Sequence, residues 1–314
     1  MEHYLVAMGV TAGIYAMMAL GMNVIWGMAG LINLGLVGFF AIGAYVSGLL
    51  TLKMGWPIPL GIAAGTLAAS AVGVMMAMIT VRLRGDYLAI VTLGFAETMR
   101  VVMSNEIWIA NGTDGLSGIP GPFRGALGPH LFNLLFLGIV VAVTIVIFVL
   151  VERLAHAPFG RVLRGIRDDE QVVAVAGKNV VMFKVKAFAF GTAALGLAGA
   201  LYGHFTSFIA PDLFAPLLTL YIKLSLLAGG LGNSVGAVVG AVLVVFFLES
   251  TRFVVPLVPG ISAVQGAALR EFLIAFALLV VLRFYAKGLV PERIPQPPLP
   301  TTPARAALVI GKST

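Results

Sequence analysis

The chain has 314 residues, 60% of them hydrophobic and 11% charged, with a mean hydropathy of +1.04 and a formal net charge of +7. A soluble domain carries about 25% charged residues, and no water-facing core of this length hides so much apolar side chain, so the composition excludes a soluble enzyme and implies an integral membrane protein. The 38 Gly suit close backbone approach between packed membrane helices, and with no Cys there is no disulfide or thiolate centre.

The start, Met1-Glu2-His3-Tyr4, lacks the basic opening of a secretory signal, so the apolar run behind it reads as a retained first helix. A bilayer core needs roughly 20 apolar residues as helix. That length predicts helices near Leu5 to Trp26, Ile32 to Leu52, Pro57 to Val81, Tyr87 to Met103, Leu131 to Val151, Phe183 to Phe205, Leu217 to Ala228, Val235 to Leu248 and Leu269 to Tyr285. The expected number of membrane segments is eight to ten. The second carries Gly35, Gly38, Gly43 and Gly48, which suits a broken or deeply buried helix. The seventh is short, contains Lys223 and ends in Gly229-Gly230, which suits a half-helix.

Orientation follows from the basic residues. Arg82 and Arg84, the block with Arg153, Arg161, Arg164, Arg167, Lys178, Lys184 and Lys186, and the tail with Arg283, Lys287, Arg293, Arg305 and Lys312 hold fourteen of the 20 Lys and Arg. That side is expected to be cytoplasmic, which assigns the positive charge to membrane orientation rather than to nucleic acid. The C-terminus then lies inside, and the N-terminus outside if nine segments cross. Between Asn105 and His130, Asn111-Gly112-Thr113-Asp114-Gly115 and Ile119-Pro120-Gly121-Pro122 predict an ordered, non-helical outer cap. From Pro291 onward the prolines predict an extended, mobile tail over 291–314, after a permease domain over 1–290.

Soluble-type catalysis has little to stand on, since the chain holds no G-x-S-x-G, H-E-x-x-H or P-loop. Gly311-Lys312-Ser313-Thr314 imitates the end of a P-loop, but Ala306 stands where the first Gly belongs. Gly229 to Gly232 read better with Gly236 and Gly240 as a small-residue packing ridge. Glu97 and Arg100, three residues apart on one helical face, form either part of a polar path or a structural ion pair. Lys223 is a pathway cation or a snorkelling lysine. Thr92 and Asn33 either line a cavity or bond to backbone.

The longest break in hydrophobicity runs from Val151 to Lys186. After Pro158-Phe159-Gly160, helical spacing puts Arg161, Arg164 and Asp168 on one face and Val162, Leu163 and Ile166 towards the other. Asp168 with Gln171 resembles a capping box that opens a second short helix, with a stop at Gly177. Two short helices across the cytoplasmic mouth result, or else a solvated loop whose basic residues merely obey the orientation rule.

Several blocks in order resemble the membrane subunits of branched-chain amino acid ABC transporters, specifically the LivM-type permease. They are RLRGDYLAIVTLGFAE from Arg82, GLINLGLVGFFAIGAY from Gly30, NGTDGLSGIP from Asn111, PFGRVLRGIRDDEQVVAVAGKN from Pro158 and AGGLGNSVGAVVGA from Ala228. The resemblance implies an all-α, polytopic bundle of the ABC importer permease type in the bacterial cytoplasmic membrane, surrounded by lipid. It implies a LivH-type permease partner, two cytoplasmic ABC ATPases and a periplasmic binding protein. ATP and Mg belong to the ATPases, so no cofactor is expected on this chain and the chain is not itself an enzyme. By position, the 152–186 loop becomes the coupling loop, with Arg161, Arg164, Gly165, Arg167, Asp168, Asp169 and Glu170 as ATPase-coupling residues. Asn33, Thr92, Glu97, Arg100 and Lys223 remain the pathway candidates. The start lacks an additional segment found in longer members, and related permeases carry urea, amides or aromatic acids instead. An ion-coupled transporter would have to rest on the few intramembrane charges. A membrane enzyme would have to rest on the acid cluster Asp168-Asp169-Glu170.

Overall fold

The computed structural model describes residues 2–83, 85–125, 127–254, 263–284 and 288–292. Arg84, Lys287, Arg293, Arg305, Lys312 and the segment 293–314 expected to be a mobile tail lie outside the described residues. Among the described residues the helices are α1 (Glu2–Met22), α2 (Leu36–Lys53), α3 (Ile58–Thr80), α4 (Asp86–Asn105), α5 (Ile107–Ala110), α6 (Pro129–His156), α7 (Pro158–Asp168), α8 (Glu170–Val175), α9 (Val180–Thr206), α10 (Pro216–Gly229), α11 (Ser234–Val254) and α12 (Ala263–Phe284). Seven of these helical stretches are long and apolar enough to cross a membrane, and α10 is a shorter apolar helix. The chain is therefore a multi-pass membrane protein. Each expected helix is present, with ends displaced by a few residues, as the fraying of helix termini leads one to expect.

Two departures matter. α1 runs on into a π-helix, Asn23–Met28, and the chain is then non-helical to Gly35, so the second segment begins four residues later than expected. Gly30, at φ +70°, makes this break, and the Gly-rich second segment is indeed broken at its start and buried along most of its length. The 28 residues of α6 span about 42 Å at 1.5 Å per residue, beyond a hydrocarbon core of about 30 Å, so its last turn, Glu152 to His156, projects into the polar end.

Glycines decide how the central helices meet. A Cβ at Gly65 of α3 would lie 2.6 Å from the Gly43 carbonyl of α2, and Gly43 in turn abuts the backbone of Gly196 in α9. Gly21 of α1 and Gly191 of α9 face each other's carbonyls, and Gly229, Gly236 and Gly240 bring α10 against α11. Hydrocarbon gives helices no hydrophobic reason to associate, so this backbone approach, with its many dispersion contacts, supplies the attraction instead. The last group is the small-residue ridge expected from the sequence.

The two ends differ in their covering. At one end Lys53 Nζ donates to the Trp108 carbonyl at 3.1 Å, and a two-stranded antiparallel pair, β1 (Leu116–Ser117) with β2 (Phe208–Ile209), closes the loop. His204, buried in α9, has Nδ1 2.6 Å from the Pro120 carbonyl and Nε2 2.9 Å from Ser47 Oγ. A carbonyl only accepts, so Nδ1 carries the proton and Nε2 accepts from the serine. Arg124 donates to the His204 and Phe205 carbonyls and lies 4.4 Å over the Phe132 ring. Burial lowers its affinity for the proton below the usual arginine value. This is the ordered cap expected for 105–130. It is less uniformly non-helical than expected, because the four-residue α5 and a 3-10 turn, Gly112–Asp114, satisfy backbone groups within it.

Candidate functional site

The opposite end carries α7 and α8. Pro158 starts α7 at its first turn, where the missing N–H costs nothing. A Cβ at Gly160 would sit 2.5 Å from both the Leu154 and Ala155 carbonyls, so only glycine lets the chain double back from α6. Gly160, Leu163 and Ile166 turn inward, Phe159 stacks on Phe183 at 5.3 Å, and Arg161 faces out. The two short helices expected here are present, but the cap residue is Asp169, not Asp168. The Asp169 N–H still bonds to the Gly165 carbonyl at 2.8 Å, so α7 runs through Asp168. Asp169 itself is extended, at φ −154°, and its carboxylate accepts from the amides of Gln171 at 2.8 Å and Val172 at 3.2 Å. Val172 stands where a capping box needs Glu or Gln, so that motif is absent. Ala176 and Gly177, at φ +75°, end α8 as expected.

The coupling candidates divide by what they touch. Arg161 and Asp168 are exposed, with Asp168 3.4 Å from Arg167 Nε. Arg164 donates to the Ala155 carbonyl, where α6 ends. Arg167 donates to the Gly27 carbonyl in the π-helix and to Glu292 Oε2 at 2.9 Å. Its Cγ would be 2.8 Å from a Cβ at Gly30, so the broken segment and α7 fit only because residue 30 has no side chain. Glu170 pairs with Lys184 at 2.9 Å, and Lys184 also reaches the Val81 carbonyl at 3.5 Å. With its side chain 4% exposed, Lys184 does not fit the alternative of a solvated loop: the register of α9 turns it inward.

Two cavities flank this arrangement. One of about 400 Å³ lies beneath the break and is lined by Gly30, Leu83, Leu88, Asp168, Gln171 and Lys184. The other, about 370 Å³, is lined by Glu152, His156, Arg164, Asn233 and Glu292. Arg164 and Glu292 border the second cavity and Arg167 the first, so the ionic cluster forms the wall between them.

The pathway candidates fall on the break and on α4 and α10. Asn33 is buried and its Oδ1 accepts from the Gly35 amide at 2.7 Å. Thr92 Oγ1 accepts from the Leu34 amide at 3.0 Å and donates to the Leu88 carbonyl at 2.9 Å. Both therefore satisfy backbone at the break. Arg100 grips Glu97 at 2.5 Å and reaches Asp212 at 3.7 Å, so the expected ion pair exists and has a second acid beside it. Lys223 Nζ stands 5.1 Å over the Trp26 ring in the π-helix, a cation held against the break.

Three residues with parts in this site carry little sequence signal. Asn23, buried in the π-helix, accepts from the Gly232 amide at 2.9 Å and ties the break to the α10–α11 turn. Among the described residues, its Nδ2 and that of Asn33 are buried and have no hydrogen-bond partner. Asp212 and Glu292 lie far along the chain from the charges they meet. A lone Asn within an unbroken apolar run was the only available cue, and it applies to Asn23 alone.

A family model described as the branched-chain amino acid transport system permease component matches residues 4–282. The chain is 32% identical over 261 residues to the high-affinity branched-chain amino acid transport system permease protein LivM of Salmonella typhimurium, an alignment covering 76% of this chain and 61% of that one. The chain thus spans about 61% of the length of that relative. It is 28% identical to the probable branched-chain amino acid transport permease protein LivM of Methanocaldococcus jannaschii, over 91% of this chain and 93% of that protein. To the LivH permease protein of Escherichia coli it is 25% identical, over 75% of this chain and 81% of that one. No solved structure is a significant match.

Proposed function

Because the chain belongs to the branched-chain amino acid transport permease family, we propose that it is one membrane-spanning half of an ATP-driven importer for branched-chain, hydrophobic amino acids. ATP is hydrolysed on partner chains, two cytoplasmic ABC ATPases that also hold the Mg. A LivH-type permease supplies the other half of the pathway, and a periplasmic binding protein delivers substrate to the capped end. The α7–α8 end, with residues 288–292, faces the cytoplasm of a bacterial inner membrane. The relatives named LivM support this reading, and the clustering of Arg and Lys at the α7–α8 end supports the orientation.

The observation that carries the reading is the connection of α7 to the break. Leu163 and Ile166 seat α7 in the body, Arg161 and Asp168 face out, and Arg167 links it to Gly27. ATPase closure pushes on the outward face. The push reaches the π-helix through Arg167, and the non-helical residues behind it absorb the displacement. A ligand or partner shifts such an equilibrium only by binding one state better than the other, so ATP-bound ATPases must grip one position of α7 more tightly. Substrate passes along the side of the break bordered by Lys223, Thr92 and the Glu97–Arg100 pair.

The test is a charge reversal of the outward pair, Arg161→Glu with Asp168→Lys, in the transporter reconstituted in proteoliposomes with all its partners. Expected is loss of ATP-driven amino acid uptake with the complex still assembled. Uptake at the wild-type rate would refute docking through α7.

A further inference from the structure

Residues 288–292 form a strap across the end of α10. The Leu289 and Val290 amides donate to the Ala228 and Gly229 carbonyls at 2.9 and 2.8 Å. Those carbonyls belong to the last turn of α10, where no intrahelical partner exists, so the strap supplies donors the helix lacks. Asn233 Nδ2 donates to the Pro291 carbonyl at 3.1 Å from the α11 side. The fit depends on glycine: a Cβ at Gly230, at φ +127°, would overlap the Val290 carbonyl, and one at Gly232 would lie 2.7 Å from the Glu292 carboxylate. Pro291 and Glu292, which open the segment expected to be mobile, are therefore held against the body.

Glu292 is placed by this strap between two guanidinium groups of α7. Its Oε2 accepts from Arg167 at 2.9 Å, and its Oε1 is 3.6 Å from Arg164 Nη1, within ion-pair attraction but past hydrogen-bond length. All three side chains are at most 20% exposed, so the pairing is shielded from solvent and salt. The same α10–α11 turn holds Asn23 through the Gly232 amide, and α10 carries Lys223 over Trp26.

We propose that Glu292 is a positioning residue that makes α7 and the α10–α11 turn one moving body, so that displacement of α7 enters α10 as well as the π-helix. The proposal rests on the coupling reading above. Without the Glu292 charge, two half-buried guanidinium groups face each other, and α7, still seated by Leu163, Ile166 and Phe159 and bonded to Gly27 and Ala155, loses its ionic tie to the α10–α11 turn. An ATPase stroke then moves α7 without a matching movement of α10.

The experiment uses the complete transporter in proteoliposomes and measures amino acid taken up per ATP hydrolysed. Glu292→Gln is expected to lower that ratio by about 2- to 30-fold, the range typical of changes along a coupling route. Combining Glu292→Arg with Arg167→Glu should restore part of it, whereas a merely structural defect would reduce the amount of assembled complex and leave the ratio alone. An unchanged ratio for Glu292→Gln overturns the relay. Should that variant fail to assemble, Arg164→Cys with Glu292→Cys introduces the sole thiols in a chain that has no Cys, and a short bis-maleimide joins them. Joining is expected to raise the uptake per ATP above that of the unjoined Cys pair, and the absence of any rise overturns the single-body motion. The reversal of Arg161 and Asp168 separates the two readings: if it abolishes uptake while Glu292→Gln leaves the ratio intact, only the relay falls. If the reversal has no effect, coupling through α7 falls and the relay falls with it.

Discussion

Gly199→Ala is the sharpest test of the reasoning that puts backbone against backbone at the centre of the bundle. Gly199 of α9 faces α2, and an added Cβ would overlap the Phe40 carbonyl oxygen while standing 2.8 Å from the Phe40 carbonyl carbon and 3.1 Å from the Ala44 nitrogen. Optimal carbon contacts lie at about 3.5–4.0 Å, so α2 and α9 must part by roughly 1 Å. No flexible side chain can relieve the overlap, because the three nearest atoms are all main chain, and α2 is also held by the Gly43–Gly65 contact with α3. Overpacking of this kind costs about 1–3 kcal/mol. At about 2–4 °C per kcal/mol, the expected loss of thermal stability is on the order of 2–12 °C. Gly138→Ala in α6 is the control, since a Cβ there meets nothing within 4 Å. The assay heats detergent-solubilised protein for a fixed time and follows the monodisperse fraction by size-exclusion chromatography, because membrane proteins of this size unfold irreversibly. Equal stability of Gly199→Ala and Gly138→Ala would refute the argument.

Three further outcomes follow from the ends of the molecule. Asp169→Ala removes the cap of α8, a loss of about 0.5–2 kcal/mol, and should speed amide exchange over residues 170–175, whereas Asp168→Ala should not. Lys184→Met leaves Glu170 without its ammonium partner and should cost about 1–3 kcal/mol in the heating assay, part of it recovered when Glu170→Gln is added. His204→Ala removes the bridge between Ser47 and Pro120, again worth about 1–3 kcal/mol, and should increase protease cleavage between residues 118 and 128. Cleavage unchanged from wild type would show that the cap is held by its other hydrogen bonds.

The helices were legible because hydrocarbon leaves few ways to satisfy a backbone, so an apolar run of sufficient length can hardly be anything else. The break after α1 was legible in part: Gly35 belongs to the glycine series that suggested a broken or deeply buried second helix, whereas Gly30, whose positive φ makes the break, was not singled out. Register was harder. Asp168 and Asp169 are equally good caps by residue type, and the choice falls to Leu163 and Ile166, whose burial carries α7 one residue further. Lys184 reads as the edge of a solvated block until the phase of α9 turns it towards Glu170. Glu292 was illegible because its meaning lies in Arg167, 125 residues away, and its proline-rich surroundings suggest an extended chain.

The two ends are also held by interactions with different tolerance for movement. The capped end depends on short, directional bonds: His204 to Pro120 and Ser47, Ser207 Oγ to the Ile119 carbonyl at 2.7 Å, and the Gly118 amide to the Ser207 carbonyl at 2.9 Å. Such bonds weaken steeply once length or angle departs from ideal, so displacement of the cap costs several at once. The α7–α8 end adds to its hydrogen bonds the ion pairs of Arg164 and Arg167 with Glu292 and of Lys184 with Glu170. Coulomb attraction falls only as the inverse of distance, and in a half-buried site it persists over displacements that break a hydrogen bond. Arg164 already interacts with Glu292 at 3.6 Å without bonding to it. The end proposed to receive the ATPase stroke is thus the one that keeps some attraction through a shift, while the end proposed to meet the binding protein is held by contacts that resist it.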